Sequence, residues 1–230
     1  MDGRNLVNAT SSASSISKRL LICETFASLC GESTRQGLPA FFIRLTGCNL
    51  RCAWCDTAYA WDGGEERTIA QLLAEVRAAD LPLVVVSGGE PLAQPDSAIL
   101  LKALADDGRI VLLETNGTLS IENVDARVRR IVDVKPPSAG AEAPFLLENL
   151  RFLQPTDELK FVVADRADFD FAVDFINGNR LVDRCPLLLS PVAGRLNPME
   201  AAEWILAAGL PLRLHLQLHK ILWGNAVKGR

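Results

Sequence analysis

The chain has 230 residues, 49% of them hydrophobic and 23% charged, with a formal net charge of −4. Those proportions exclude a disordered or fibrous chain and supply one full hydrophobic core, at most two small domains. The slight acidic excess argues against a nonspecific nucleic-acid surface, which needs cations to neutralise phosphates, and no run of about 18 apolar residues is present to cross a membrane as a helix.

Residues 1–18 include the Ser/Ala-rich run Asn8-Ala9-Thr10-Ser11-Ser12-Ala13-Ser14-Ser15, which lacks the apolar stretch of a secretory signal and is expected to be a disordered extension. Residues 19–230 are read as one domain. From Leu20 onward short runs of Val, Ile, Leu and Phe alternate with segments of helical period, the rhythm of βαβ units. Strands are predicted at residues 20–26, 40–46, 83–87, 110–114, 131–134, 158–163, 187–190 and 212–218, the first two as a hairpin-like lead-in. Thr68 with Gln71 forms a capping box ahead of a helix from Ile69. Asp96 or Ser97 opens a second, Asp168 a Phe-rich third reaching about Ile176, and Pro198 sits at the first position of a fourth; Gly108 and Gly209 close helices. The expected fold is α/β, an incomplete (βα) TIM-like barrel with a mostly parallel sheet; a doubly wound open sheet stays open on pattern alone.

The strongest chemical signal is Cys48-Asn49-Leu50-Arg51-Cys52-Ala53-Trp54-Cys55, a C-x3-C-x2-C run with no fourth ligand nearby. Three thiolates so spaced suit one face of a 4Fe-4S cube whose fourth iron stays open to a small molecule. A structural zinc site wants four closed ligands, and a redox pair at Cys52 and Cys55 leaves Cys48 unexplained. Six cysteines are too few for a disulfide scaffold, so a reducing compartment, the cytoplasm, is expected. Cys23, Cys30 and Cys185 read as packing residues.

Other signals fall at the ends of predicted strands. Gly88-Gly89 permits close backbone approach to a ligand but is also ordinary turn chemistry. Glu114 and Asn116 suit sugar hydroxyls, or an Asx turn closed by Gly117. Arg44 stands alone in an apolar strand and needs a carboxylate, either a substrate's or an internal one such as Glu32. Trp54 would cover whatever binds at the cysteines, or simply exclude water. In the last predicted strand Arg213, His215, Gln217 and His219 share one face at period two; His219, near its end, is expected to face the site and His215 to be structural.

The cysteine loop after an early strand and Gly-Gly-Glu-Pro after a later one resemble the radical S-adenosylmethionine superfamily. Glu24-Thr25-Phe26, Gly31-Glu32-Ser33, Phe42-Ile43-Arg44-Leu45, Cys52-Ala53-Trp54-Cys55-Asp56-Thr57, Glu114-Thr115-Asn116-Gly117, Asp133-Val134-Lys135-Pro136-Pro137-Ser138 and Leu218-His219-Lys220 together resemble its 7-carboxy-7-deazaguanine synthase family. That resemblance implies a homodimeric lyase of queuosine and 7-deazapurine biosynthesis that converts 6-carboxy-5,6,7,8-tetrahydropterin to 7-carboxy-7-deazaguanine and ammonia. It implies S-adenosylmethionine regenerated at each turnover, Mg2+, and an electron donor such as flavodoxin or ferredoxin. It assigns Cys48, Cys52 and Cys55 to the cluster and Thr57 to magnesium. Trp54, Asp56, Gly89, Lys135, Pro136, Pro137, Ser190, Pro191, Val192 and Ala193 go to the cofactor, and Leu29, Cys30, Gly31, Glu32, Arg44, Ser87 and His219 to the pterin.

Two departures stand out. Many relatives carry glutamine at Cys30, and the chain runs on past His219 through residues 220–230, so a C-terminal carboxylate contact with substrate is not carried over. The rival readings are another radical enzyme, such as a glycyl-radical activating enzyme, and a noncatalytic zinc module.

Overall fold

A computed structural model of the chain describes residues 15–224 and 228–229. Of the expected N-terminal extension, residues 1–14 lie outside the described set. Residues 15–18 form a turn in which Ile16 packs on the core.

Among the described residues one nine-stranded sheet runs in the order β3-β1-β2-β4-β5-β6-β7-β8-β9. Its strands are β1 (Arg19–Leu29), β2 (Pro39–Leu45), β3 (Glu65–Thr68), β4 (Leu83–Gly88), β5 (Ile110–Thr115), β6 (Arg129–Asp133), β7 (Glu158–Val163), β8 (Leu187–Pro191) and β9 (Leu212–Leu214). β1 is antiparallel to both β2 and β3, and from β2 through β4 to β9 every neighbouring pair is parallel. From β2 through β4 to β9 the parallel order advances in one direction without reversal, while β3 returns to the far side of β1. A doubly wound sheet would reverse at a switch point; this one curls towards an incomplete barrel with edges at β3 and β9.

The helices are α1 (Ile69–Ala79), α2 (Ser97–Asp106), α3 (Asn149–Phe152), α4 (Arg166–Gly178), α5 (Pro198–Ala208) and α6 (Leu218–Trp223). No helix among the described residues is long and apolar enough to cross a membrane. The capping box at Thr68 and Gln71 forms as read, and Pro198 opens α5 behind Asn197, whose side chain accepts from Met199 N at 3.0 Å. α4 starts earlier than expected. Asp165 is its cap and accepts from Asp168 N, while Asp168 turns away to take the Ser138 hydroxyl and Ala164 N.

Alternation along each parallel strand sorts the residues into two faces. Phe41, Ile43, Val84, Val86, Val111, Leu113, Val132, Leu159, Phe161 and Leu189 point outwards and share one core with Leu72 and Val76 of α1, Leu100 and Leu104 of α2 and Phe169 and Ile176 of α4. The inner face begins with a small apolar layer of Ala40, Leu83, Val85, Leu112 and Ile131 near the strand starts. Above it, towards the C-terminal ends, the same inward rows turn polar at Arg44, Ser87, Glu114, Asp133 and Lys160.

Two expectations need correction. β3, Glu65-Glu66-Arg67-Thr68, is too charged to read as a strand, yet it pairs with β1, and its charges suit an open edge. β9 ends at Leu214, so the stretch read as strand to residue 218 leaves the sheet and His219 lies on α6.

A buried ion pair braces the start of β6. Asp157, 0% exposed, accepts Arg130 N at 2.9 Å and Gln154 N at 2.8 Å, and its Oδ2 lies 2.7 Å from Arg130 Nη2, a contact of charges whose angle is outside the hydrogen-bond range. Asp157→Ala is expected to cost about 3–5 kcal/mol of unfolding free energy, because it strands a buried guanidinium; a denaturant titration reads the loss.

Candidate active site

The C-terminal strand ends open on a cavity of about 210 Å3. Its mouth is the loop after β2. Gly47 N bonds Ala60 O at 2.8 Å, Glu90 N bonds Gly47 O at 2.8 Å and Ala53 N bonds Ala139 O at 2.9 Å, so three neighbouring segments hold the cysteine loop. Cys48, Cys52 and Cys55 all line the cavity. Burial pushes the Cys48 and Cys52 thiols up, so their thiolate form is one that bound metal would draw out. Among the described residues no three His, Cys, Asp or Glu side chains converge as ligands of a single ion would. A donor set of three soft thiols along one wall fits corner irons of a cluster better than one tetrahedral zinc.

Around the thiols, Trp54 lines the cavity with its indole Nε1 buried and unpartnered among the described residues, and the Arg195 guanidinium lies 5.4 Å from its ring centre. Thr57 precedes the short 3-10 turn Ala58–Ala60, but its hydroxyl caps nothing there; it lies 3.8 Å from Cys55 Sγ and faces the cavity. Asp56 is 3.0 Å from Lys220 Nζ and 3.7 Å from His219 Nε2. Desolvation raises its pKa, but His219 and Lys220 outweigh that and hold the carboxyl well below its ordinary range.

Gly89 lines the cavity and also packs backbone to backbone on Gly47, so both readings of the glycine pair apply. Glu90, 0% exposed, was not singled out from sequence. Its carboxylate takes Leu92 N at 3.0 Å, the Thr115 hydroxyl at 2.9 Å and Asn116 N at 2.7 Å, tying the β4 and β5 ends together.

The far wall and floor carry the polar ring. The turn between β1 and β2 lies at the strand starts and crosses beneath the cavity. Glu158 Oε1 accepts Thr34 N at 3.0 Å and the Ser33 hydroxyl at 2.9 Å, Leu218 N bonds Gly31 O at 3.0 Å, and Gln36 Nε2 bonds Gly31 O at 2.9 Å. This floor raises Glu32 towards Lys160 and Gln217, whose Nε2 is 2.7 Å from Glu32 Oε1. Desolvation opposes ionisation of Glu32, yet Lys160, Gln217 and His219 lower its pKa to about 2. Glu114 accepts the Ser87 hydroxyl at 2.6 Å, and burial with Glu32 nearby pushes its carboxyl up. Arg44 pairs internally, though with Glu24 rather than Glu32: Nε to Oε1 is 2.8 Å, and the Tyr59 hydroxyl joins the same oxygen at 2.9 Å. Its Nη atoms have no hydrogen-bond partner among the described residues, and the side chain faces the cavity.

Leu29, Gly31, Glu32, Arg44, Ser87 and His219 thus line one cavity with the cysteines, Trp54, Asp56, Thr57, Gly89, Lys135 and Val192. Pro136, Pro137, Ser190, Pro191, Ala193 and Cys30 do not line it. Pro136 and Pro137 lead into the turn that carries Ala139 to the cysteine loop. Ser190, 0% exposed, bonds His215 Nδ1 at 3.0 Å, so His215 is structural as read. Cys30 is sealed in the inner apolar layer, its Sγ 2.9 Å from Glu32 O and its pKa pushed by burial to about 12. Asn116 makes the Asx turn, its Oδ1 taking Thr118 N at 3.0 Å. Lys160, Gln217 and Lys220 join the site without having been expected there. Lys160 carried the signal that exposed Arg44, a charge inside an apolar strand.

A three-thiol loop above the parallel strands of a partial barrel defines a radical S-adenosylmethionine enzyme, and the Radical SAM superfamily profile matches residues 42–137. The chain is 43% identical to the 7-carboxy-7-deazaguanine synthase of Chlorobaculum tepidum, across 91% of this chain and 97% of that one, and 41% identical to that of Thermoplasma acidophilum, across 90% and 98%. The crystal structure of QueE from Escherichia coli superposes with a TM-score of 0.74 at 25% identity, covering 87% of this chain and 95% of that one. The chain belongs to the 7-carboxy-7-deazaguanine synthase family. Radical SAM membership brings with it a 4Fe-4S cluster and S-adenosylmethionine, which the thiol set and the adjoining cavity fit.

Proposed function

We propose that the chain converts 6-carboxy-5,6,7,8-tetrahydropterin to 7-carboxy-7-deazaguanine with release of ammonia, on the route to queuosine and related 7-deazapurines. The observation that carries this reading is the polar ring in the same cavity as the three thiols: a guanidinium with open Nη atoms, Arg44, lining the same space as the carboxylates Glu32 and Glu114. A carboxylated pterin presents a carboxylate at one end and N–H donors of an aminopyrimidinone at the other, which is complementary to that ring.

Cys48, Cys52 and Cys55 would hold the cluster, and Trp54, Asp56, Gly89, Lys135 and Val192, which line the same cavity, would contact S-adenosylmethionine. When bound, the cluster and S-adenosylmethionine would supply one-electron chemistry able to take a hydrogen atom from carbon. The chain's own residues orient the pterin, with Arg44 on its carboxylate and Glu32, Ser87 and His219 around the ring, and exclude water from the reacting carbon. Thr57 offers a hydroxyl to Mg2+, a hard cation satisfied by oxygen. A homodimer, a flavodoxin- or ferredoxin-like donor and a cytoplasmic setting complete the reading.

The test is anaerobic turnover of reconstituted protein with S-adenosylmethionine, dithionite, magnesium and the pterin, followed by mass spectrometry. Release of 5′-deoxyadenosine without 7-carboxy-7-deazaguanine would reject this substrate. Arg44→Ala is expected to raise the pterin KM by about ten- to a hundredfold, the worth of a charge-assisted hydrogen bond, while S-adenosylmethionine cleavage persists; steady-state kinetics with both products quantified checks it.

A further inference from the structure

β7 is buried along its whole length, and Lys160 sits within it at 6% exposure. An ammonium in such a place requires carboxylate partners. It has two: Nζ bonds Glu32, carried up by the floor, and lies 3.3 Å from Asp133 Oδ2 at the end of β6. Asp133 also holds Lys135 Nζ at 2.9 Å, and the turn after Lys135 places Ala139 O against Ala53 N of the cysteine loop at 2.9 Å. One chain of contacts therefore joins the pterin end of the cavity to the thiol end, with Lys160 at its centre.

Glu32 is faced by Lys160 from β7, Glu114 from β5, His215 from the segment after β9, and Gln217 and His219 at the start of α6. Burial and Glu114 oppose its ionisation, and Lys160 is the nearest charge that favours it. Remove that cation and the same carboxylate becomes a buried anion beside another.

We propose that Lys160 is a positioning residue: it fixes the direction and charge of Glu32 at the pterin end, and through Asp133 it registers the Lys135 turn against that same carboxylate. The inference rests on the proposed pterin reaction, in which ionised Glu32 accepts from the substrate's N–H edge.

The experiment uses reconstituted enzyme and 6-carboxy-5,6,7,8-tetrahydropterin. It reads the dissociation constant by calorimetry without reductant, across pH, and the ratio of 5′-deoxyadenosine to product during turnover. Lys160→Met should weaken pterin binding by about ten- to a hundredfold at a pH of about 8. Its affinity should fall further as the pH drops to about 6, because an unpaired buried Glu32 takes up a proton. Wild type and Lys160→Arg should lack that additional loss over the same range, and the product ratio should shift towards 5′-deoxyadenosine only in Lys160→Met. A residue that merely fills space would not create a pH limb. Should Lys160→Met fail to fold, Glu32→Gln carries the test, with weaker but pH-independent binding expected. Wild-type affinity with a flat profile in Lys160→Met, or unchanged affinity in Glu32→Gln, overturns the inference alone. Wild-type enzyme that neither binds nor converts the pterin overturns the reaction and the inference with it.

Discussion

A Cys52→Ala variant reconstituted anaerobically with iron and sulfide should come out nearly colourless, with less than about a tenth of the wild-type iron and no detectable product, because two thiolates cannot hold three corners of a cube. The change should leave the fold alone. The loop around Cys52 is fixed by backbone hydrogen bonds, Gly47 N to Ala60 O, Glu90 N to Gly47 O and Ala53 N to Ala139 O, none of which uses the thiol. The metal-free variant should therefore unfold at the same temperature as metal-free wild type. Iron and sulfide analysis beside a thermal scan separates the two effects. Wild-type iron content in Cys52→Ala would refute the ligand assignment, and equal losses of iron and of folding would mean that the thiol serves packing instead.

Gly89→Ala should be nearly as damaging for a different reason. A Cβ at Gly89 would stand 2.0 Å from Gly47 O, 2.5 Å from Gly47 C and 3.0 Å from Cys48 Cβ. Backbone cannot swing aside as a flexible side-chain tip can, so the end of β4 must part from the cysteine loop. With it go the hydrogen bonds Gly89 N to Leu45 O at 3.1 Å and Glu90 N to Gly47 O. Overpacking of this kind costs about 1–3 kcal/mol, and displacing Cys48 by even about 1 Å should lower turnover by about a hundredfold. Gly178→Ala, at the end of α4 with nothing within 4 Å, is the control, expected to be neutral or slightly stabilising. Iron content, affinity for S-adenosylmethionine and a denaturant titration give three readouts. An active, cluster-loaded Gly89→Ala would show that the two loops are not in contact in the working enzyme.

The repeating part of the barrel was legible because burial on both faces makes its parallel strands apolar runs, such as Leu83-Val84-Val85-Val86 and Phe161-Val162-Val163. β3 was not, because an edge strand is free to be charged along its length. The end of the chain misled in the opposite way. Arg213 to His219 alternates like a strand, but the sheet stops at Leu214, and Gln217, His219 and Lys220 reach the cavity from a short helix and its approach. His219 was expected at the cavity, which it lines, though on an element of another kind. The cysteines and Arg44 announce themselves locally, by spacing and by a charge out of place. Pairings such as Glu32 with Lys160 depend on a floor that crosses the barrel, and period-two patterns carry no information about a crossing.

That floor also puts the cavity on a timetable. The three thiols come from the single stretch 48–55, whereas Glu32 meets Lys160 across 128 residues and Gln217 across 185. Contacts of such separation close late, since the intervening chain must be made and folded first. As the polypeptide emerges from the ribosome, the three thiols are present well before Gln217, His219 and Lys220 exist. A chain released ahead of residue 216 would own every iron ligand and a cavity lacking the wall that Gln217, His219 and Lys220 supply. The stretch from Leu216 to Lys220 is thus the keystone, set last, that completes the chamber beside the thiols.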